Sequence, residues 1–169
     1  MNKKTKIVLD SDVLIHFSKA NCLSVLPKIF PEFEYIILDI VYNEIKTLQD
    51  EIDKHIHHFN SFTFIEFNPQ GDMFKEYAQL IKSFGRGESA CMSYCKYNND
   101  IIGSSNIKDI KDYCKKEKIV YLTTLDFLYY AYAKKLLTKE ECDTFIKTVQ
   151  SKGSKLPDAD ITKYTCTKL

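Results

Sequence analysis

Five short apolar runs, each stopping at a polar or turn-forming residue, constrain this chain more than any other feature. Ile7-Val8-Leu9 stops at Asp10 and Tyr35-Ile36-Ile37-Leu38 at Asp39. Phe62 to Phe67 stops at Asn68-Pro69, Ile101-Ile102 at Gly103-Ser104-Ser105, and Ile119 to Leu122 at Thr123-Thr124. The runs are β-branched or aromatic and mostly apolar on both faces, as strands of a parallel sheet covered on both sides must be. Helical patterns fill the intervals, over 12–30, 40–59, 71–83, 87–98, 107–117 and 126–150. Strand–helix alternation predicts βαβ units with right-handed crossovers. The expected fold is a three-layer α/β/α sandwich around a central, mainly parallel five-stranded sheet. It spans residues 1–150, with 151–169 as a C-terminal tail, loosely packed or docked on a partner.

Composition removes several functional classes. A length of 169 residues fits one domain, and 44% hydrophobic with 28% charged residues is the balance of a globular protein. No apolar run approaches the ~18 residues of a membrane span. Asp10 and Asp12 interrupt any signal-peptide core after the basic start, so a cytoplasmic protein without membrane contact is expected. The net charge of +1 supplies no whole-molecule field, and nucleic-acid binding would need a local patch. The six cysteines contain no Cys-x-x-Cys pair, which reads as reduced, buried thiols rather than a zinc site. No Gly-x-x-x-x-Gly-Lys loop is present, which argues against an NTPase.

In open α/β sheets, ligands gather at the carboxyl ends of the strands. Asp10 directly follows the first strand, with Ser11 and Asp12 beside it. Glu44 lies in the first turns after the second strand, Glu88 opens the helix at Gly87, and Asp109 lies one turn beyond Ser104-Ser105-Asn106. Carboxylates that converge must share a proton or a cation. A hard divalent ion with oxygen ligands, Mg²⁺ or Mn²⁺, meets that need and suits phosphodiester hydrolysis.

These segments resemble the motifs of the PIN-domain nucleases, a family that includes VapC-like toxin ribonucleases. Lys6-Ile-Val-Leu-Asp-Ser-Asp-Val-Leu-Ile15 is similar to the opening motif, Val41-Tyr42-Asn43-Glu44-Ile45 to the second, and Gly85-Arg86-Gly87-Glu88-Ser89-Ala90 to the third. Asp100 to Tyr113 occupies the place of the fourth, and Ile119 to Leu137 resembles the last strand and helix. The resemblance implies that Asp10, Glu44 and Glu88 hold Mg²⁺ or Mn²⁺ and that the substrate is RNA. It also implies an antitoxin protein and a second copy of the chain as partners. At the fourth position many relatives carry Ser or Thr, any residue, then Asp. Here Ser104-Ser105-Asn106 stands instead, so Asn106 or Asp109 would complete the set. A catalytically degenerate module that binds RNA or protein is the alternative.

Ordinary structural roles compete with each assignment. Asp10 can cap a helix, Asp12 can favour a helix dipole, and Ser104, Ser105 and Asn106 form a good capping run. Ser11 and Ser105 are auxiliary candidates for the site. Arg86 is the better phosphate contact because a guanidinium makes two bonds, and Lys108, with Lys111 and Lys115 on one helix face, is a second. Asp126 reads as cap chemistry. His55, His57 and His58 read as a solvated polar face, His16 as a partly buried packing residue, and Cys91 and Cys95 as core. A receiver-type α/β domain would need an Asp after the third strand and a Lys after the last, where Asn68-Pro69 and Thr123-Thr124 stand.

Overall fold

The computed structural model describes residues 4–169. Strand β1 is Lys6–Leu9, β2 Glu34–Leu38, β3 Thr63–Ile65, β4 Ile101–Gly103 and β5 Tyr121–Leu122. All pairings are parallel, in the order β3-β2-β1-β4-β5, so the sheet is wholly rather than mainly parallel. The chain runs outward from β1 to β2 and β3, then returns to β4 on the other side of β1. That reversal opens a crevice between β1 and β4 at their carboxyl ends, the switch point where such sheets bind ligands. Ile7, Val8, Leu9, Ile36, Ile37 and Leu38 are all fully buried, which explains why these runs do not alternate.

Helices pack on both faces: α1 (Ser11–Lys19), α2 (Leu26–Ile29), α3 (Asp39–Glu44), α4 (Gln49–His57), α5 (Gly71–Leu80), α6 (Arg86–Asn98), α7 (Ile107–Glu117), α8 (Thr124–Ala133) and α9 (Lys139–Ser151). Three of the expected long helices are broken. The stretch 12–30 divides where Asn21 takes φ 54°, a left-handed conformation that Asn tolerates. The stretch 40–59 divides at Ile45, followed by the 3₁₀ turn Lys46–Leu48. The stretch 126–150 divides at Lys135, φ 59°, and restarts where Thr138 and Glu141 form a reciprocal capping box. Apolar periodicity runs through all three breaks because both halves of each pair bury one face in the same core.

The cysteines are free thiols, five buried and Cys22 half-buried. Among the described residues, no helix is long and apolar enough to cross a membrane. The tail is not loosely packed but lies on its own chain. Leu156, Ile161 and Cys166 are buried, and Lys168 and Tyr164 bind Asp126. This segment lacks periodicity because it is pinned by isolated contacts instead of a helical face.

Candidate active site

The first strand delivers Asp10 into the crevice. Its N–H donates to the Gly103 carbonyl at 2.8 Å, carrying the β1–β4 ladder one residue past the strand. Its side chain caps α1 by accepting from the Ser11 N–H at 2.8 Å. Ser11 thus serves through its backbone. The other oxygen, Oδ2, accepts from the Ser104 hydroxyl at 3.2 Å. Cap and site residue are therefore one side chain, and the two readings of Asp10 do not compete.

Asp12 belongs to the same cluster. Its Oδ1 accepts from the Val13 N–H at 2.6 Å, and its Oδ2 from the Ser105 N–H at 2.8 Å and the Ser104 hydroxyl at 3.4 Å. A carboxylate from α1 thus sits on the turn that follows β4. The spacing of Asp10 and Asp12 alone does not reveal this, since it depends on where β4 ends relative to β1.

Glu88 and Glu44 enter from α6 and α3. Glu88, buried in the first turn of α6, accepts from the Asn106 amide at 2.9 Å. Glu44 is exposed and accepts from the Gly87 N–H at 2.9 Å, at the positive end of the α6 dipole. A Cβ at Gly87 would stand 2.6 Å from Glu44 Oε2 and would push this carboxylate from its present place. Asn106 opens α7 without a side-chain cap bond; its amide nitrogen joins Glu88 to Asp109 Oδ2, 2.8 Å away. The capping expectation for Ser104-Ser105-Asn106 is corrected at α7: the Asn106 amide turns to Glu88 and Asp109, the Ser104 hydroxyl to Asp10 and Asp12, and the Ser105 hydroxyl to Thr124 at the start of α8. Arg86 and Lys108 stand exposed at the starts of α6 and α7.

Burial and mutual repulsion govern the charge here. Burial first, then Asp12 and Glu88, pushes the Asp10 carboxyl up to about 8. Burial likewise raises Asp12. Glu88 is raised to about 7 by burial, then by Asp109, Asp12 and Glu44. Asp109, Asp12 and Glu44 thus act on Glu88, and Asp12 and Glu88 on Asp10. The donors are oxygens, which suits a hard divalent cation in chemistry. Among the described residues, however, no three Asp, Glu, His or Cys side chains are gathered closely enough to form a ready-made ligand set. The Asn106 amide stands nitrogen-first towards Glu88 and Asp109.

Other sequence candidates fall elsewhere. Asp126 forms a capping box with Thr123 at the start of α8, as cap chemistry predicts. His55 is not solvated: it is 6% exposed, stacks on Phe62 with ring centroids 5.0 Å apart, and bonds Ser61 at 2.8 Å. His57 and His58 are exposed, so the three histidines do not share one solvated face. His16 is buried, with its pKa lowered to about 4 chiefly by burial.

A parallel α/β sheet whose switch-point crevice holds buried acids defines the class of this protein. A family model described as a PIN domain matches residues 6–164. The chain belongs to the PIN-domain family. Among solved structures it is similar to the VapBC2 complex of Rickettsia felis bound to a DNA fragment from their promoter, at 16% identity and a TM-score of 0.47, over 70% of this chain and 98% of that one. No curated protein matches the chain.

Proposed function

We propose that this chain is a divalent-cation-dependent ribonuclease that hydrolyses phosphodiester bonds in single-stranded or locally open RNA. The observation that carries the reading is the gathering of buried acids at the crevice, where burial and neighbouring carboxylates hold Asp10 and Glu88 above ordinary carboxylate values. Such a group of acids gains most from a bound cation. Asp10, Glu44 and Glu88 would hold Mg²⁺ or Mn²⁺, with Asp12 and Asp109 adding negative charge and Asn106 turning its oxygen inward. When bound, the ion supplies neutralisation of charge at the phosphodiester.

The chain's own residues do the rest. The Ser104 hydroxyl orients Asp10, and the Gly87 N–H orients Glu44. Arg86 and Lys108 flank the crevice and would receive backbone phosphates, Arg86 with two bonds and Lys108 as a point charge. Unpaired RNA is the substrate class because no helix or ribbon is presented for a duplex groove. The sequence resemblance also makes the chain a candidate toxin with an antitoxin partner, which a small DNA-binding protein encoded beside it and co-purifying with it would support.

The neutral Asn106 and the ungathered ligand set favour a second reading, an RNA-binding module that does not cut. One experiment separates the two. Wild-type protein with millimolar Mn²⁺ should cleave a single-stranded RNA, and Asp10→Asn should lower the rate by at least about 100-fold while circular dichroism is unchanged. RNA binding without cleavage by the wild type selects the second reading. Equal cleavage by the two proteins removes Asp10 from the mechanism.

A further inference from the structure

We propose that His16 and Thr124, which do not themselves reach the site carboxylates, are positioning residues that hold the Ser104–Ser105 turn against Asp10 and Asp12. The proposal rests on the nuclease reading and names the support behind its acidic crevice.

Thr124 is the first residue of α8 and fully buried. It grips Ser105 at two points: its N–H donates to Ser105 Oγ at 2.8 Å, and its Oγ1 accepts from the Ser105 hydroxyl at 2.7 Å. On its far side, Thr124 Oγ1 lies 2.8 Å from Nδ1 of His16, which is 5% exposed on α1. The Thr124 hydroxyl thus accepts the Ser105 proton and also hydrogen-bonds His16 Nδ1, and His16 is the neutral imidazole. Its burial agrees, since a charged imidazole there would have lost its water without gaining an anion.

The clamp ends on the acids. With its side chain held by Thr124, Ser105 presents its N–H to Asp12 Oδ2 at 2.8 Å. Ser104, the preceding residue, places its hydroxyl 3.2 Å from Asp10 Oδ2 and 3.4 Å from Asp12 Oδ2. A continuous chain of hydrogen bonds therefore runs from α1 through the start of α8 and the turn after β4, and back to the start of α1. Apolar contacts already join α1 to the α8 region: Phe17 meets Phe127 edge-on at 6.1 Å and Phe145 at 4.9 Å. Apolar side chains at 16 and 124 would extend that packing without burying a hydroxyl and an imidazole. The polar chain is explained by where it terminates, on the only turn that touches both Asp10 and Asp12 among the described residues.

Full-length Thr124→Val removes the hydroxyl and keeps the shape, whereas Thr124→Ser returns it. The direct readout is amide hydrogen exchange at Ser105, whose N–H is the bond to Asp12. In the Val variant, protection at Ser105 should fall about tenfold or more, and kcat for Mn²⁺-dependent RNA cleavage about 10- to 100-fold, with KM for RNA within about twofold. The Ser variant should restore both to within about threefold. Wild-type kcat in the Val variant, or a loss that Ser does not restore, overturns the proposal. If the Val variant does not fold, His16→Phe, which keeps a ring of similar size, should show the same losses in weaker form, and wild-type protection and kcat there overturn it equally. If the wild type cleaves no RNA, the nuclease reading fails separately. Amide protection then decides the positioning claim, and unchanged protection at Ser105 in both variants rejects it.

Discussion

Asp10 and Asp126 are both buried, both stand just past the end of a strand, and both accept a backbone N–H at the start of a helix. Their surroundings treat them in opposite ways. At Asp126, burial raises the pKa, but Lys168, the Thr123 N–H and Tyr164 outweigh it, and the carboxyl is held below its ordinary value. Lys168 lies 2.7 Å from Asp126 Oδ2 and 3.9 Å from the centre of the Tyr121 ring, so the cation is itself held in place. At Asp10 the charged neighbours are more carboxylates, and the hydrogen bonds from the Ser11 N–H and the Ser104 hydroxyl do not outweigh burial and that repulsion. A buried acid with a resident lysine is complete as structure. A buried acid among other acids must take up a proton or share a cation.

The largest expected effect on stability comes from removing the resident cation. Lys168→Met leaves Asp126 buried without its partner and should cost about 2–4 kcal/mol in urea unfolding at pH 7, towards the low end because Lys168 is partly exposed. The folded pKa of Asp126 lies below its ordinary 3.8, so the pair stabilises above that value and its contribution is lost as pH falls through the folded value. The gap between wild type and variant should therefore close under acid conditions. A constant gap at every pH would mean that Lys168 acts by packing alone.

Asp10→Asn should do the reverse. A folded pKa of about 8 against an ordinary 3.8 means that the stability Asp10 allows is fully present below 3.8 and is lost as pH rises through about 8. Asparagine keeps the cap but carries no charge. In metal-free buffer the variant should thus be more stable than the wild type above pH 8 by on the order of 1–2 kcal/mol, with the advantage fading towards pH 4. Mn²⁺ at about 100 times its Kd should raise wild-type stability by about 2.7 kcal/mol and the variant's by less, as read by thermal unfolding with added metal. A variant less stable than wild type at high pH would show that the charge of Asp10 is already compensated.

Gly87→Ala should have the smallest effect on stability. Alanine is the better helix former by up to about 1 kcal/mol, but its Cβ displaces the Glu44 carboxylate. Unfolding should shift by less than about 1 kcal/mol while RNA cleavage falls about tenfold. Unchanged cleavage would place Glu44 outside the chemistry.

How much was legible depended on how far apart in sequence the interacting groups lie. Strands β1, β2 and β4 read clearly because they are buried on both faces, and Asp10 and Glu88 can be placed from local order because Asp10 directly follows β1 and Glu88 stands in the first turn of α6. Asp12 was harder. Its partners Ser104 and Ser105 lie more than ninety residues away, and no local pattern marks a side chain whose hydrogen bonds cross the sheet. Asn106 reads from sequence either as a cap or as completing the acidic set, and no local pattern marks that its amide spans from Glu88 to Asp109. Lys168 lies 42 residues from Asp126, in a segment with no periodicity to assign it a face.

Local order along the chain was enough to determine the parallel sheet, its helical cover and the end of the sheet to which the acids are sent. Burial on both faces and the residue following each strand are short-range properties. Only the tertiary structure decided which acids share a space, which one receives a lysine, and which hydroxyls hold the rest. Those outcomes depend on distances across the sheet, where charge and burial act through space rather than along the backbone.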